Sequence, residues 1–466
     1  MNIGQEIWEV RRQWDLSHDS WWTLFSHVIS LTIIRDVLKN LDACERRSCK
    51  VPAFVVVMLV IGMNLFTEES ISQAFCALIG GMRFLSFDVG TLVCGKSTLC
   101  EARYRLGAAP MVELFRRVSR PIATPKTRNA FLFGLRLMGV DGTVEDVADT
   151  PENAVAFGRQ KGSRGDSAFP QLRNVYLAEL GTHVICDAIV RGYQYDERSA
   201  AKRLLRSVDN SMLLMWDSGF HSYEMVRLAK QNGVYFLGRV PCSVILDPIE
   251  SFGDGSYSAK IYPTPSDRDK DENGILIRVV EYTIDDPRRK GHGENHRLIT
   301  SLMDPVKHPA RTLAIEYHQR WEIEIAIDEI DTHQRVHHQR PFRSKKPVGV
   351  IQEAYGLLLA HFVIRCFMHQ AALTEKLDPD RLSFIDSLRV IRRAIPEFQI
   401  VPPQFWPQMN DRLLAEIAQN RLPPRDNRCN PRVVKRKVSK FLLKRSQHKK
   451  PEHPSKPFAA SVVMLN

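Results

Sequence analysis

The sequence predicts an α/β protein with a β-rich insertion, preceded by an all-α N-terminal region. Three observations carry this. Residues 1–120 place apolar side chains at helical spacing. Residues 131–240 read as three strands, a helix, a strand, a helix and a strand. Residues 241–312 then break that order with turn-rich, strand-like sequence, before helical pattern returns at 313–335 and 350–372.

Within the N-terminal region, Leu31, Ile34, Val37, Leu38 and Leu41 mark one helix, and a second starts near Pro52. "SISQAFCALI" follows a short acidic turn. In "STLCEARYRLG", Thr98 and Glu101 fit a capping box and Gly107 a C-terminal stop. Arg103 and Arg105 lie on this last helix, so the pair reads equally as a helix-turn-helix or as part of a plain bundle. A Pro-rich linker, "PIATPKTRNA" (121–130), closes the region.

Beyond the linker, strands are expected at 134–144, 172–180 and 183–190, the last two joined as a hairpin at Gly181-Thr182. A helix at 196–208, a strand at 211–220, a helix ending at Gly233 and a strand at 234–240 follow. The first three strands form an antiparallel meander, and the last two, each reached through a helix, run parallel to the first. Inside the insertion, "ILIRVVEYTI" and "RLITSLM" are strand-like. Residues 373–420 read as a helical C-terminal part and 421–466 as a basic tail.

The charge is concentrated. The chain of 466 residues carries a net +12, yet residues 421–450 alone hold twelve Lys or Arg against one acid, Asp426. Lys435, Arg436 and Lys437 lie in this stretch, which suits a polyanion. Nine scattered cysteines without zinc spacing suggest reduced thiols in a cytosol. The most apolar run, "VPAFVVVMLVIGMNLF" (51–66), falls short of the about 20 residues of a membrane span and reads as a buried helix.

Asp141 ends the apolar run "LRLMGV", and Asp217 ends "MLLMW". Taken alone, each is a turn or capping residue. On neighbouring strands, two such carboxylates meet at one sheet edge and bind hard divalent cations. A metal pair about 4 Å apart activates water and stabilises a leaving oxygen in phosphoryl transfer. The third acid comes from "YHQRWEIEIAIDEIDTH" (317–333). At ~100° per residue, Tyr317, Arg320, Glu324 and Asp331 fall within about 60° of one another. Glu322 and Glu329 point the other way, towards solvent.

Four stretches together resemble the DDE transposases of the insertion-element-four family: "DGTVEDVADTPENAVAFGR" (141–159), "AFPQLRNVYLAELGTHVICDA" (168–188), "DSGFHS" (217–222) and the 317–333 segment. The run at 51–60 and "ARYRLG" (102–107) resemble that family's leader domain. The resemblance implies a ribonuclease-H-like core at 131–240 and 313–372 around the 241–312 insertion. It implies cytoplasmic, nucleoid-associated action in a bacterium. It also implies a metal triad of Asp141, Asp217 and Glu324 holding Mg2+, two ions, with Mn2+ as substitute. The enzyme would cut DNA at terminal inverted repeats and join the 3′ hydroxyl to target DNA, as a homodimer in the DNA complex. Tyr317 and Arg320 would hold phosphates, with Arg103, Arg105, Lys161 and the tail as further DNA contacts. Position 331 departs, with Asp where the family carries Lys. That departure suggests an alternative, a DNA-binding protein with a decayed site. No Trp stands in 241–312 to grip a flipped base, leaving Tyr257, Tyr262 and Tyr282 as aromatic candidates.

Two patterns point elsewhere. "GTLVCGKS" (90–97) matches the phosphate-loop pattern, with Lys96 as its lysine. Thr91, Leu92 and Val93 are bulky where a phosphate cradle needs close backbone approach, so Lys96 is read as a DNA or solvent contact. His333 and His337 have i,i+4 spacing without the Glu of a zinc protease, and His338 follows them.

Overall fold

The computed structural model describes residues 22, 24–45, 51–78, 94–162, 165–289, 291–335, 341–401, 403–423 and 454–465. In chain order, the elements used below begin with α1 (Leu31–Asn40), α2 (Ala53–Gly62), α3 (Ile71–Leu78), α4 (Lys96–Leu106) and α5 (Ala109–Val118). Next come β1 (Leu135–Asp146), β2 (Gln171–Glu179), β3 (Val184–Gly192), α6 (Glu197–Leu204), β4 (Met212–Trp216), α7 (Tyr223–Gln231) and β5 (Tyr235–Arg239). They continue with β6 (Ser256–Ile261), β7 (Ile275–Ile284), β8 (His296–Thr300), α8 (Ala310–Glu316) and α9 (Trp321–Asp328). The last are α10 (Pro347–Thr374), α11 (Phe384–Ile400), α12 (Trp406–Gln419) and β9 (Val462–Met464).

The chain divides into two compact units. The first comprises Met1–Phe131, Leu137–Ser207 and Trp321–Leu422; the second comprises Leu132–Arg136, Val208–Arg320 and Pro423–Asn466.

The first unit contains the expected meander. β1 pairs antiparallel with β2, setting Asp141 opposite Tyr176, and β2 pairs antiparallel with β3. The β2–β3 turn is wider than Gly181-Thr182 alone and ends at His183, whose φ of 58° is left-handed. α10 is the core helix, packed on α2, α5, α12 and β3. It is long and apolar enough to cross a membrane, and 83% of its most apolar window is buried inside the protein. A helix apolar on all sides needs partners on all sides, and α2, buried along nearly its whole length, is one of them. Gly356 permits their approach: a Cβ there would lie 2.7 Å from the Val60 backbone oxygen.

α4 begins at Lys96 after Gly95, so Thr98 lies inside the helix and does not cap it. Gly107 ends it as expected, at φ 74°. The residues joining α3 to α4, and with them most of the "GTLVCGKS" loop, lie outside the described residues. Lys96 itself is exposed at the helix start.

In the second unit, β4 and β5 run parallel, joined by α7. β5 continues antiparallel into β8, β8 into β7, and β7 into β6. Because β4 and β5 are hydrogen-bonded through to the inserted strands, the compact boundary falls at Ser207/Val208 and not near residue 240. Residues 454–465 are not a free tail: β9 adds antiparallel to β7, pairing Thr283 with Val463. Lys435, Arg436 and Lys437 lie outside the described residues.

Candidate catalytic carboxylates

Asp141 and Glu324 sit on elements that pack together in the first unit. Residues 139, 141, 143 and 145 share one face of β1. A Cβ on Gly139 would come 2.7 Å from Leu180 Cδ2 and 3.4 Å from the Ile323 Cβ, so α9 packs at van der Waals distance over this strand position. Four residues along β1, Thr143 Oγ1 donates to Asp331 Oδ2 at 2.9 Å. Asp141 lies between the two strand contacts, and Glu324 between the two helix contacts. The spans match: four strand residues cover about 13 Å and eight helical residues about 12 Å. Both carboxyls are half-buried, and Asp141 Oδ1 accepts the Gly142 N–H at 2.8 Å. A Cβ on Gly142 would lie 2.1 Å from Glu197 Oε1, so the glycine lets the Glu197 carboxyl lie against β1.

The single helical line expected from Tyr317 to Asp331 does not form. Tyr317–Arg320 is a 3-10 turn, α9 is α-helical, and Glu329–Gln334 is π-helical. A uniform 100° step assumes one helix type; tight and wide turns change the phase. Asp331 therefore faces β1 instead of sharing a DNA-facing line. Burial, then the buried Glu145 beside it, hold its carboxyl well above the usual range. Arg335 Nη1 lies 3.3 Å from Glu145 Oε1.

Glu322 and Glu329 are not solvent-facing either. Glu329 is buried; its Oε2 meets Arg365 Nε at 3.0 Å and His361 Nε2 at 3.2 Å, and its Oε1 meets His183 Nδ1 at 3.1 Å. His183 Nε2 lies 2.9 Å from Glu322 Oε2 and 3.1 Å from Asp380 Oδ1. Burial alone would lower the His183 pKa, but Asp380, Glu329 and Glu322 around it push it up to about 9. Glu329 and Ile330 turn inward because the chain changes pitch after α9, which no local sequence pattern marks.

Asp217, Tyr317 and Arg320 belong to the second unit. Asp217 follows β4 directly, half-buried, its Oδ1 accepting the Gly219 N–H at 2.8 Å. Tyr317 is buried and donates its hydroxyl proton to the Trp216 carbonyl at 3.0 Å, with burial raising its pKa. Its expected phosphate contact is thus replaced by support of the strand end that carries Asp217. Arg320 is also buried.

Among the basic residues, Arg103 is a correction. It is buried, with Nε donating to Gln352 Oε1 at 3.2 Å and Nη2 to Ser344 Oγ and the Gly349 carbonyl at 3.1 and 3.0 Å. Those bonds fasten α4 to α10 and leave no face for DNA. Arg105 is exposed and donates to the Val51 carbonyl, and Lys161 is exposed on a short hairpin. His333 Nε2 lies 3.5 Å from Asp328 Oδ2, while His337 and His338 lie outside the described residues. The aromatic candidates are engaged within the insertion: Tyr257 donates to Glu281, Tyr262 to Asp271, and Tyr282 stacks on His296.

Comparison with known proteins agrees with these motifs. The insertion element 4 transposase N-terminal family matches residues 21–116, and the transposase DDE domain family matches residues 133–363. The transposase InsG of insertion sequence element IS4 from Escherichia coli (strain K12) is 28% identical over 455 residues, covering 95% of this chain and 98% of that protein. The putative transposase InsZ of the same strain is 27% identical over 147 residues, 31% of this chain and 49% of that protein. A solved structure of piggyBac transposase in a synaptic complex with hairpin DNA aligns at TM-score 0.44 and 12% identity over 85% of each chain, too distant to bear on the fold. With two family matches in tandem and a relative aligned almost end to end, the chain belongs to the insertion element 4 family of DDE transposases and is a DNA transposase.

Proposed function

We propose that Asp141, Asp217 and Glu324 hold the divalent metal on which the family's reaction depends, Mg2+ with Mn2+ as substitute. The observation that carries this is the pair of contacts, Gly139 on Ile323 and Thr143 on Asp331, that bracket Asp141 and Glu324. Three carboxylates on rigid elements are a hard oxygen donor set, which suits Mg2+ better than thiophilic metals. Bound there, the metal supplies activated water and charge stabilisation at the leaving oxygen.

The chain's own part is positioning, which dominates in-line phosphoryl transfer. The Gly142 and Gly219 amides orient Asp141 and Asp217. Tyr317 holds the Trp216 carbonyl, one residue before Asp217. Arg320 is the guanidinium proposed to meet a transposon-end phosphate, with Arg105, Lys161, Lys435, Arg436 and Lys437 as further DNA contacts.

On this reading the catalytic domain is ribonuclease-H-like, formed by 131–240 and 313–372 around the 241–312 insertion. A helical leader, 1–120, precedes it, and 373–420 and 421–466 follow. The enzyme acts as a homodimer on two terminal inverted repeats, cleaving at the ends and transferring strands into target DNA at the nucleoid. The decayed-site alternative rested on Asp331 lying beside phosphate, and an Asp331 that accepts from Thr143 on β1 speaks against it.

Purified protein with DNA bearing the element's ends tests the assignment. Strand cleavage is expected to require Mg2+ or Mn2+ and to disappear in Asp141→Asn and in Asp217→Asn while end binding persists. Cleavage at the wild-type rate by either variant overturns it.

A further inference from the structure

We propose that His183, Glu322 and Asp380 form a second divalent-cation site, one nitrogen and two oxygens, that takes a zinc-class metal and braces the helix carrying Glu324. All three residues lie in the first unit, on the β2–β3 turn, α9 and the 3-10 turn Pro379–Arg381. One ligand atom from each lies within 4.8 Å of the others. His183 Nε2 is 2.9 Å from Glu322 Oε2 and 3.1 Å from Asp380 Oδ1. Ligands about 2.1 Å from a tetrahedral zinc stand about 3.4 Å apart, so these separations need open by only a few tenths of an ångström to become edges of its coordination polyhedron.

The surroundings match what a metal-bound imidazole needs. Such a histidine gives its other ring N–H to a carboxylate, fixing tautomer and orientation. His183 Nδ1 meets Glu329 Oε1 at 3.1 Å. Glu329 is itself fixed by Arg365 and His361. His183 is fully buried, whereas Glu322 and Asp380 retain 19% and 14% side-chain exposure, leaving an entry path and room for water ligands. A cation entering here takes the place of the proton on Nε2, which leaves to solvent, and supplies positive charge among three acids. Imidazole selects zinc-class metals over magnesium, so the site is chemically distinct from the all-oxygen catalytic set.

The effect is mechanical. Glu322 precedes Glu324 by two residues, so a metal here ties the start of α9 to the β2–β3 turn and to the C-terminal helices. The test is zinc retention by the full chain. Protein stripped with chelator is dialysed against Zn2+ in excess Mg2+, which occupies the all-oxygen site, then desalted and analysed by elemental mass spectrometry. One zinc per chain is expected in wild type and in Asp141→Asn, and none in Asp380→Asn. Because Asp380 lies in a surface turn, that variant tests the site without removing the buried histidine; His183→Gln, with cobalt substitution read by its visible absorption, gives a second test. Absence of zinc from wild type, zinc retained in Asp380→Asn, or zinc lost in Asp141→Asn overturns the proposal.

Discussion

Two acid clusters flank the stretch that carries Glu324, and they balance charge by different means. Glu329 faces Arg365, His361 and His183, whose pKa is pushed up to about 9. Glu145 meets Arg335, and Asp331 beside it is held well above the usual carboxylate range by burial and then by Glu145. Glu329 and Asp331 are carboxylic acids two positions apart. What separates them is how many cationic groups the fold brings to each among the described residues: three at Glu329, and Arg335 at the Glu145–Asp331 pair. A buried carboxylate persists only where it is paired; otherwise it neutralises.

Removing the ionised acid is the strongest way to break this contrast. Glu329→Gln leaves Arg365 buried without its counter-charge and is expected to lower stability by about 3–5 kcal/mol. Urea unfolding measures it, and a loss below about 1 kcal/mol would mean that the cluster is not held by charge. Next comes pH. His183 has a folded pKa of about 9 against 6.5 for the free side chain. Its contribution is therefore fully present below pH 6.5 and lost as pH rises through about 9, on the order of 3 kcal/mol. Thermal melts of chelator-stripped wild type should fall across that window, and those of His183→Gln should stay flatter. Asp331 has the same sign, since its folded pKa is also raised: its contribution holds below the ordinary carboxylate range and fades above it. The smallest effect is Asp331→Asn, which keeps an oxygen to accept from Thr143 and should change unfolding by about 1 kcal/mol or less.

The sequence carried the architecture well and the acid roles unevenly. Short apolar runs and turn residues placed β1, β2, β3, β4 and β5 within a few residues, because each strand is bounded by Gly or polar turns. Asp141 and Asp217 stood out because each ends an apolar run. The roles of Glu322, Glu329 and Asp331 were hidden, because a projection at constant pitch cannot register a 3-10 turn and a π turn within one helical stretch. Arg103 misled for a related reason. Its charge suggested DNA, whereas its partners Ser344, Gly349 and Gln352 lie about 240 residues away in sequence, beyond any local pattern.

Glu324 is proposed as an acid for chemistry and Asp331 as an acid for the fold. Metal-dependent cleavage of end-bearing DNA by Glu324→Gln and Asp331→Asn, side by side, separates the two roles. Both variants are expected to bind the ends, Asp331→Asn to cleave at the wild-type rate, and Glu324→Gln not to cleave. Cleavage by Glu324→Gln, or its loss in a well-folded Asp331→Asn, would contradict this assignment.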